Sequence, residues 1–214
     1  MNNAARASLQ RWYEAPLLER LGGRLEGKRV LEIGCGRGVG TEIIFRRFGA
    51  REVHASDLDP DMVDQAQRRL AAYPPERLKL TVGDATAIEE DDESFDAVFD
   101  FGIIHHIPDW PAAVKEVYRV LRPGGRFFFE EVTTRALDRW FYRAFLEHPT
   151  QNRFSGRDFV GELERQGIIV GGNYVERFFG DFIIGVGRRS AFKATLDVVN
   201  AMRSTLDPEI RSNA

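Results

Sequence analysis

The glycines and acids that follow the first apolar segment are the residues best placed to do chemistry in this chain. Gly34, Gly36 and Gly38 alternate with other residues directly after an apolar run that contains Glu32. Because glycine lacks Cβ, a backbone with glycines at alternate positions can press against a bound ligand. The helical pattern over 39–48 would point its N-terminal N–H groups at that ligand. The pattern predicts a site for a nucleotide-like cofactor.

The spacing of these glycines excludes two common nucleotide-binding motifs. A dinucleotide fingerprint needs G-x-G-x-x-G or G-x-G-x-x-A, but Val39 and Thr41 occupy the third glycine position for the two starting points. A P-loop needs a lysine after its last glycine, whereas Thr41 follows Gly40. The chain has E-x-G-x-G-x-G instead. This segment resembles the first motif of class I S-adenosylmethionine-dependent methyltransferases.

The resemblance continues in register along the chain and implies a set of contacts to S-adenosylmethionine. Asp57 ends the second apolar segment, about 20 residues past the glycine turn, which suits a ribose-reading acid in a doubly wound sheet. The resemblance implies that Asp57 accepts hydrogen bonds from both ribose hydroxyls and that Leu58 lies against adenine. It also implies that Asp84 of a Gly-Asp-Ala segment contacts the adenine amine. The implied cofactor-binding residues are Tyr13, Glu32, Gly34, Gly36, Gly38, Asp57, Leu58, Asp84, Ala85 and Phe101.

Two further motifs indicate a branch of that family. The pair His105-His106 follows the fourth strand, and Leu-Arg-Pro-Gly-Gly over 121–125 precedes the fifth. Both resemble the small-molecule branch that includes the ubiquinone/menaquinone-biosynthesis C-methyltransferases, and the match spans residues 28–131. His105, His106 and Tyr142 are the candidate catalytic residues. A histidine titrates in the right range to serve as a base, but the alternative is a structural pair with one imidazole bonded to backbone under the cofactor.

The elements that must position these residues alternate between strands and helices. Apolar runs predict five strands, and amphipathic periodicity predicts helices between them. The strands are expected near 29–34, 52–57, 78–83, 95–101 and 125–131, and the helices near 39–49, 60–72, 110–121, 135–147, 156–166 and 191–206. Such alternation implies an α/β fold with a parallel sheet, right-handed crossovers and a ligand at the carboxyl ends of the strands.

The end of the sheet is inferred from a hairpin and from the family. Segments 173–179 and 182–187 flank Gly180-Asp181, and a tight connection of this kind predicts a hairpin. The resemblance then implies a doubly wound, seven-stranded, mostly parallel sheet with order 3-2-1-4-5-7-6. Its last strand is antiparallel, and helices cover both faces.

The chain is predicted to form a single methyltransferase domain over 1–214. Its parts are an N-terminal helical cap (1–27), a cofactor-binding core (28–131), substrate-side helices with the C-terminal hairpin (132–190) and a terminal helix (191–214). The segments around Trp12 and Phe141 are expected to cover the cleft, and Tyr13 to reach the carboxylate of the cofactor. Of Glu130 and Glu131, which end the fifth strand, one is expected to face inward and one outward by the strand period.

Composition restricts the class of protein. The 214 residues carry a formal net charge of -3, 43% hydrophobic and 29% charged residues, and one cysteine. This charge supplies no basic field for nucleic acid, and no apolar run approaches the length of a membrane span. Cys35 alone excludes an internal disulfide and is typical of a reducing cytoplasm. We expect a cytoplasmic protein with no metal site, no nucleic-acid partner and no membrane span.

Absent motifs narrow the acceptor. Base-amino methyltransferases carry an N/D-P-P-Y/F turn after the fourth strand, where this chain has Asp-Phe-Gly-Ile over 100–103. Cytosine C5 enzymes need a Pro-Cys pair, which is missing. We therefore expect an S-adenosylmethionine-dependent methyltransferase of a small organic acceptor, with a homodimer as a further expectation. Two alternatives stay open: a non-catalytic S-adenosylmethionine-binding regulatory or scaffold subunit, and a non-methylating user of the same cofactor.

Overall fold

The computed structural model describes residues 4–137 and 153–191. Within these ranges the strands are β1 (Arg29–Ile33), β2 (Glu52–Asp57), β3 (Leu78–Val82), β4 (Phe95–Phe101), β5 (Leu121–Val132), β6 (Ile168–Ile169), β7 (Tyr174–Arg177) and β8 (Phe182–Arg189). The helices are α1 (Ala4–Leu9), α2 (Ala15–Gly22), α3 (Val39–Ile43), α4 (Pro60–Arg69), α5 (Trp110–Val120), α6 (Thr134–Leu137) and α7 (Gly156–Gln166). A π-helical turn (Gln10–Glu14) joins α1 to α2, and a second one (Ile44–Phe48) extends α3.

The strands form one sheet of order β3-β2-β1-β4-β5-β8-β6, with β7 also paired to β8. Strands β1 to β5 pair in parallel, and β8 is antiparallel to β5. The predicted doubly wound order is thereby confirmed, with β8 in the place of the seventh strand. Two short strands share the outer edge of the sheet beyond β8. β7 pairs with the first half of β8, and β6 pairs with its end.

The fifth strand begins earlier than predicted. Leu121 already pairs with Phe95, and the next register pair is Ala97 with Arg126. The residues between Leu121 and Arg126 therefore form a bulge, with Gly124 at a φ of +77°, rather than a turn that ends a helix. A bulge admits extra residues without breaking the ladder, which is why an apparent turn lies inside a strand.

The predicted strand over 173–179 ends at Arg177. Phe178 and Phe179 adopt left-handed φ values of +53° and +63°, which no strand tolerates. They form a 3-10 turn (Phe178–Gly180) in place of the tight Gly-Asp connection. Both phenylalanines are exposed.

The sheet is buried on both faces, as expected of a parallel sheet covered by helices. Phe127, Phe128 and Phe129 follow one another in β5 and are all fully buried. Phe128 belongs to a core cluster beneath α2 and α3, while its two neighbours lie in the cluster beneath α5 and α7. The predicted helix over 156–166 is confirmed as α7, which Ser155 caps. The rest of the helix expected over 135–147, beyond α6, and the helix expected over 191–206 lie outside the described residues.

None of the helices in the described ranges combines the length and the apolar character that crossing a bilayer requires.

Candidate functional site

The glycine turn after β1 is a backbone cradle at the carboxyl edge of the sheet. Gly34, Gly36 and Gly38 have φ values of +68°, +52° and +78°, a region that residues with Cβ rarely adopt. A Cβ at Gly34 would lie 2.4 Å from Cγ2 of Ile103. One at Gly38 would lie 2.8 Å from Cδ1 of Leu70. The turn can keep this shape only with glycine.

Asp57 closes the cradle from β2. Its Oδ2 accepts a hydrogen bond from the N–H of Gly36 at 2.7 Å, and its Oδ1 accepts from the N–H of Asp59 at 3.0 Å. The first bond connects the end of β2 to the glycine turn, since parallel strands bring their carboxyl ends together. A carboxylate beside exposed backbone is suited to accept hydrogen bonds from vicinal hydroxyls.

Glu32 forms the floor of the cradle. Its carboxyl is 1% exposed and accepts a hydrogen bond from the hydroxyl of Thr41. Burial raises the pKa of Glu32 to about 8, and the nearby charges of Asp57 and Asp100 act in the same direction. A Cβ at Gly40 would collide with Oε1 of Glu32, so the glycine at the start of α3 makes room for this acid.

Gly34, Gly36, Glu32 and Asp57 line one cleft, whose empty volume is about 740 Å³ with its open mouth included, whereas the predicted residue Gly38 is not part of its lining. Besides these four residues, the lining combines two arginines, a buried amide, a thiol, thioether and aromatic surface, and one histidine. The added lining residues are Arg6, Gln10, Cys35, Arg37, Val39, Gly40, Met62, Phe101, Gly102, Ile103 and His106. The cleft therefore joins a polar cradle to a mixed apolar wall, as small-molecule cofactor sites do.

Three of the predicted cofactor-binding residues, including both predicted adenine contacts, lie apart from this lining. Leu58 is 71% exposed on the loop after β2. Asp84 lines a neighbouring cavity of about 400 Å³ on the α5 side of the sheet, and its Oδ1 accepts from the N–H and the hydroxyl of Thr86, both at 2.8 Å. Ala85 packs against the core cluster of that side. Asp84 and Asp57 are nevertheless close along the backbone, because Gly83 N–H donates to the carbonyl of Asp57 at 3.0 Å.

Tyr13 is directed away from the cleft. Its hydroxyl accepts a hydrogen bond from Nε of Arg177 at 2.7 Å, and Tyr13 is not among the residues that line the cavity. Arg6 and Gln10 of the same N-terminal segment line it instead. Within the N-terminal segment, the residues that line the cleft are therefore earlier in the chain than Tyr13.

The two histidines have different environments. His106 is exposed and lines the cleft, whereas His105 is buried behind it. The centroids of the two imidazole rings lie 4.1 Å apart. Burial lowers the pKa of His105 to about 4, so its imidazole is neutral. Of the pair, the structure brings only His106 to the cleft. Tyr142 lies outside the described residues.

Glu131 anchors the turn that carries both histidines. Its fully buried carboxylate accepts from the N–H of Ile104 at 2.6 Å and of His105 at 3.3 Å. It also lies 2.6 Å from Nδ1 of His105. Because both oxygens of Glu131 already accept backbone N–H groups, Nδ1 carries the hydrogen and donates. The imidazole is thus held by a side chain, not by backbone as the structural alternative supposed.

Asp100 shares a proton with Glu131. Oδ1 of Asp100 accepts from the N–H groups of Gly102 and Ile103 at 3.0 and 2.9 Å. Its Oδ2 is buried and meets no N–H donor in the described part of the chain. Burial and the adjacent carboxyl of Glu131 raise the pKa of Asp100 well above its ordinary value, and burial raises that of Glu131 to about 7. Two adjacent buried carboxyls cannot both ionise easily, so the pair favours holding one proton. Oδ2 of Asp100 is the atom suited to carry it, because it meets no N–H donor among the described residues.

Arg6 connects the N-terminal helix to the end of β5. Its guanidinium lies 2.5 Å from Glu14 and 2.6 Å from Glu130. Burial alone would lower the pKa of Arg6, but the two carboxylates outweigh it and raise the value. Burial raises the pKa of Glu14 to about 8, and the charge of Glu130 adds to the effect. Glu130 and Glu131 do point to opposite faces, but both are buried because each face is covered.

Several lining residues carried no recognisable sequence signal. Arg6, Gln10 and Met62 resemble solvated helix positions, and only the folded N-terminal segment brings Arg6 within reach of a residue 124 positions away. Gly40 had a usable signal, since it continues the alternate spacing of the three preceding glycines. Asp100 could have been noted as an acid inside an otherwise apolar strand.

Comparisons with known proteins agree with this geometry. Residues 30–125 match a family model described as a methyltransferase domain. The chain is 39% identical over 108 residues to the "probable phthiotriol/phenolphthiotriol dimycocerosates methyltransferase 2" of Mycobacterium ulcerans, a match covering 50% of this chain and 41% of that protein. It is 35% identical over 127 residues to the fatty-acid O-methyltransferase of Mycolicibacterium smegmatis, covering 59% and 45%. The chain thus spans less than half the length of these relatives.

Among solved structures, the chain is similar to phosphoethanolamine N-methyltransferase 2 of Haemonchus contortus in complex with S-adenosyl-L-methionine. The TM-score is 0.62 at 27% identity, with 74% of this chain and 37% of that chain covered.

Proposed function

Because the chain contains a class I S-adenosylmethionine-dependent methyltransferase domain, we propose that it transfers a methyl group from that cofactor to a small organic acceptor. The observation that carries the proposal is the hydrogen bond from Gly36 N–H to Asp57. It joins a cradle that only glycine can form to a carboxylate with spare acceptor capacity. The cofactor supplies an electrophilic methyl group on a sulfonium.

The residues present fit this cofactor chemically. Gly34 and Gly36 line the cleft with backbone that carries no Cβ, and Asp57 would hold the ribose hydroxyls. Glu32 gives the floor an acidic group, which suits a ligand with a positively charged centre. For Leu58 and Asp84 we propose the adenine contacts that the resemblance implies, and Ala85 stays a predicted cofactor-binding residue. Tyr13 stays a prediction, with Arg6 and Gln10 better placed toward the cofactor's carboxylate end.

We propose an acceptor with an apolar body. The relatives named above include a fatty-acid O-methyltransferase and a dimycocerosate methyltransferase. In this chain, the exposed rings of Phe178 and Phe179 lie at the carboxyl edge of the sheet. The turn that holds them is next to Arg177, which binds Tyr13 of the N-terminal segment. We propose that these exposed rings contact the apolar body of the acceptor.

If the acceptor needs a base, the geometry favours His106 over His105. His106 lines the cleft, while His105 is buried and bound to Glu131. The chain's contribution to an in-line methyl transfer is otherwise to hold the two reactants together in a partly dry site. Cytoplasmic location, a homodimer and the absence of a nucleic-acid partner stay predictions from the sequence.

Two measurements test the proposal. Calorimetric titration of the purified chain with S-adenosylmethionine and with S-adenosylhomocysteine should show binding of both, and no response to either would overturn it. An assay of S-adenosylhomocysteine release with medium- and long-chain fatty acids should then show turnover. Binding without turnover on any acceptor would favour the scaffold alternative, and chemistry without methyl transfer the other one. His106→Gln should lower turnover while leaving cofactor affinity within about twofold, since the substitution removes a proton acceptor without altering the cradle.

A further inference from the structure

The cleft is underlain by a surplus of buried acids. Five carboxyls, at most 3% exposed each, surround its floor and are called here the buried acid cluster: Glu14, Glu32, Asp100, Glu130 and Glu131. One cation, Arg6, is paired with two of them. The other titratable or charged groups that face the cluster or line the cleft are Cys35, Arg37, Asp57, His105 and His106. Of these, Asp57 adds further negative charge, Arg37 adds positive charge at an exposed position of the lining, and His105 is neutral.

Such a cluster cannot be fully ionised in the absence of a ligand. Several carboxylates with one cation in a poorly solvated region would repel one another, so some must hold protons. The geometry favours Oδ2 of Asp100 as the place of one of these protons. That atom is buried without an N–H donor among the described residues and belongs to a carboxyl hydrogen-bonded to Glu131.

The cluster lies directly behind the lining of the cleft. Asp100 binds the N–H groups of Gly102 and Ile103, two residues that form the wall. Glu32 lines the floor itself. A positive charge placed in the cleft would therefore stabilise the ionised forms of these acids. A neutral group in the same place would not.

Resting on the proposed function, we propose that the buried acid cluster discriminates between cofactor and product by charge: it releases protons when the sulfonium of S-adenosylmethionine binds and keeps them when the neutral thioether of S-adenosylhomocysteine binds. The proton leaves Asp100 or another member of the cluster for solvent, and no covalent bond to carbon or sulfur changes. Loss of the positive charge on methyl transfer then returns the proton and weakens the hold on the product.

The test measures protons directly. Calorimetric titrations of the full chain at pH 7.0 in phosphate and in Tris, which differ in ionisation enthalpy, give the number of protons released on binding. We expect more protons released with S-adenosylmethionine than with S-adenosylhomocysteine. By linkage, each proton released makes the affinity rise by up to about tenfold per pH unit, so S-adenosylmethionine should bind several-fold more tightly at pH 7.5 than at pH 6.5.

Asp100→Asn is the informative variant. Its amide keeps Oδ1 as acceptor for both backbone N–H groups and places a permanent donor where the proton was. It should therefore release fewer protons with S-adenosylmethionine. Wild type and Asp100→Asn are titrated with the same ligand, so the ligand's amino group contributes equally to both. The difference in proton release between the two proteins therefore reports the acids of the protein. Asp92→Asn, at an exposed acid before β4, should behave as wild type.

The outcomes are distinct. Binding of both ligands with equal proton release, unchanged in Asp100→Asn, overturns the inference and leaves the proposed function standing. Failure of both ligands to bind overturns the proposed function. If Asp100→Asn does not fold, Glu32→Gln serves the same purpose, because Glu32 lines the floor of the cleft without a cation partner among the described residues and its amide oxygen can still accept from Thr41.

Discussion

Oε2 of Glu131 lies 2.6 Å from Nδ1 of His105, and both side chains are buried. The contact joins the end of β5 to the turn after β4, and this turn carries His106 into the cleft. The relationship makes Glu131 a positioning residue for that wall. It touches no ligand itself.

Glu131→Ala should destabilise the protein strongly. It would leave the N–H groups of Ile104 and His105 and the imidazole N–H without their acceptor, and each unsatisfied buried donor costs about 1–3 kcal/mol. We expect the free energy of unfolding in urea to fall by about 3–5 kcal/mol. Glu131→Gln keeps one acceptor oxygen and should lose less than half of that. Equal losses in the two variants would contradict the assigned hydrogen bonds.

The stability of the ligand-free protein should decrease as the pH rises from 6.5 to 8. Burial raises the pKa of Glu14 and Glu32 to about 8 and of Glu131 to about 7. In this window the folded state holds protons that the unfolded state has lost, so its advantage disappears as the pH rises through the folded values. Each such group contributes a slope of about 1.4 kcal/mol per pH unit at most.

His105 opposes that trend only weakly. Its pKa is lowered to about 4 in the folded state, so the unfolded state binds more protons mainly between about pH 4 and 6.5. There the unfolded state gains protons first, and His105 reduces stability as the pH falls. Above pH 6.5 the opposing slope is at most about half of that of one carboxyl. Thermal unfolding between pH 6.5 and 8 therefore reports the carboxyls. A Tm that rises across this range would contradict the raised values, and Glu32→Gln should flatten the slope.

Gly34→Ala should abolish cofactor binding. Its φ of +68° is strained for alanine, and the new Cβ would meet the side chain of Ile103 at 2.4 Å, so the cradle must shift. Gly124→Ala is the matched control, since Gly124 has a similar φ of +77° but nothing within 4 Å of the added Cβ. The control pays only the backbone strain of about 1 kcal/mol. Its S-adenosylmethionine affinity should stay within about twofold of wild type in calorimetry.

The parts of the fold that could be predicted depend on local patterns. β1, β2 and β4 lie within one residue of the predicted segments, because apolar runs bounded by turn residues are local signals. The start of β5 was missed because Pro123 and Gly124 are typical of a turn, and only pairing with β4 reveals the bulge. The left-handed φ values at Phe178 and Phe179 were not predicted either, because no local preference of phenylalanine favours that geometry.

The candidate site divides in the same way. The glycines and Asp57 were predictable because backbone geometry restricts which residues can stand there. The buried acid cluster was not predictable. Its members come from the π-helical turn after α1 and from β1, β4 and β5, and only the fold makes them neighbours. Arg6 illustrates this, as its partner Glu130 is 124 residues away. The net charge around a site depends on which distant residues the fold brings together, and the sequence alone does not show this.

Substitutions of Asp57 should change the affinity for the cofactor while leaving the fold intact. Asp57→Ala removes the acceptor for Gly36 N–H and the acceptor proposed for the ribose, so S-adenosylmethionine affinity should fall by about tenfold or more, at about 1–3 kcal/mol for each lost charged hydrogen bond. Asp57→Asn keeps one oxygen and should fall between wild type and alanine. Because Asp57 is partly exposed at the end of β2, the Tm should change by only a few degrees. If Asp57→Ala binds the cofactor as tightly as wild type with the fold intact, the ribose contact must lie elsewhere along the cleft, and the cradle alone would have to account for recognition.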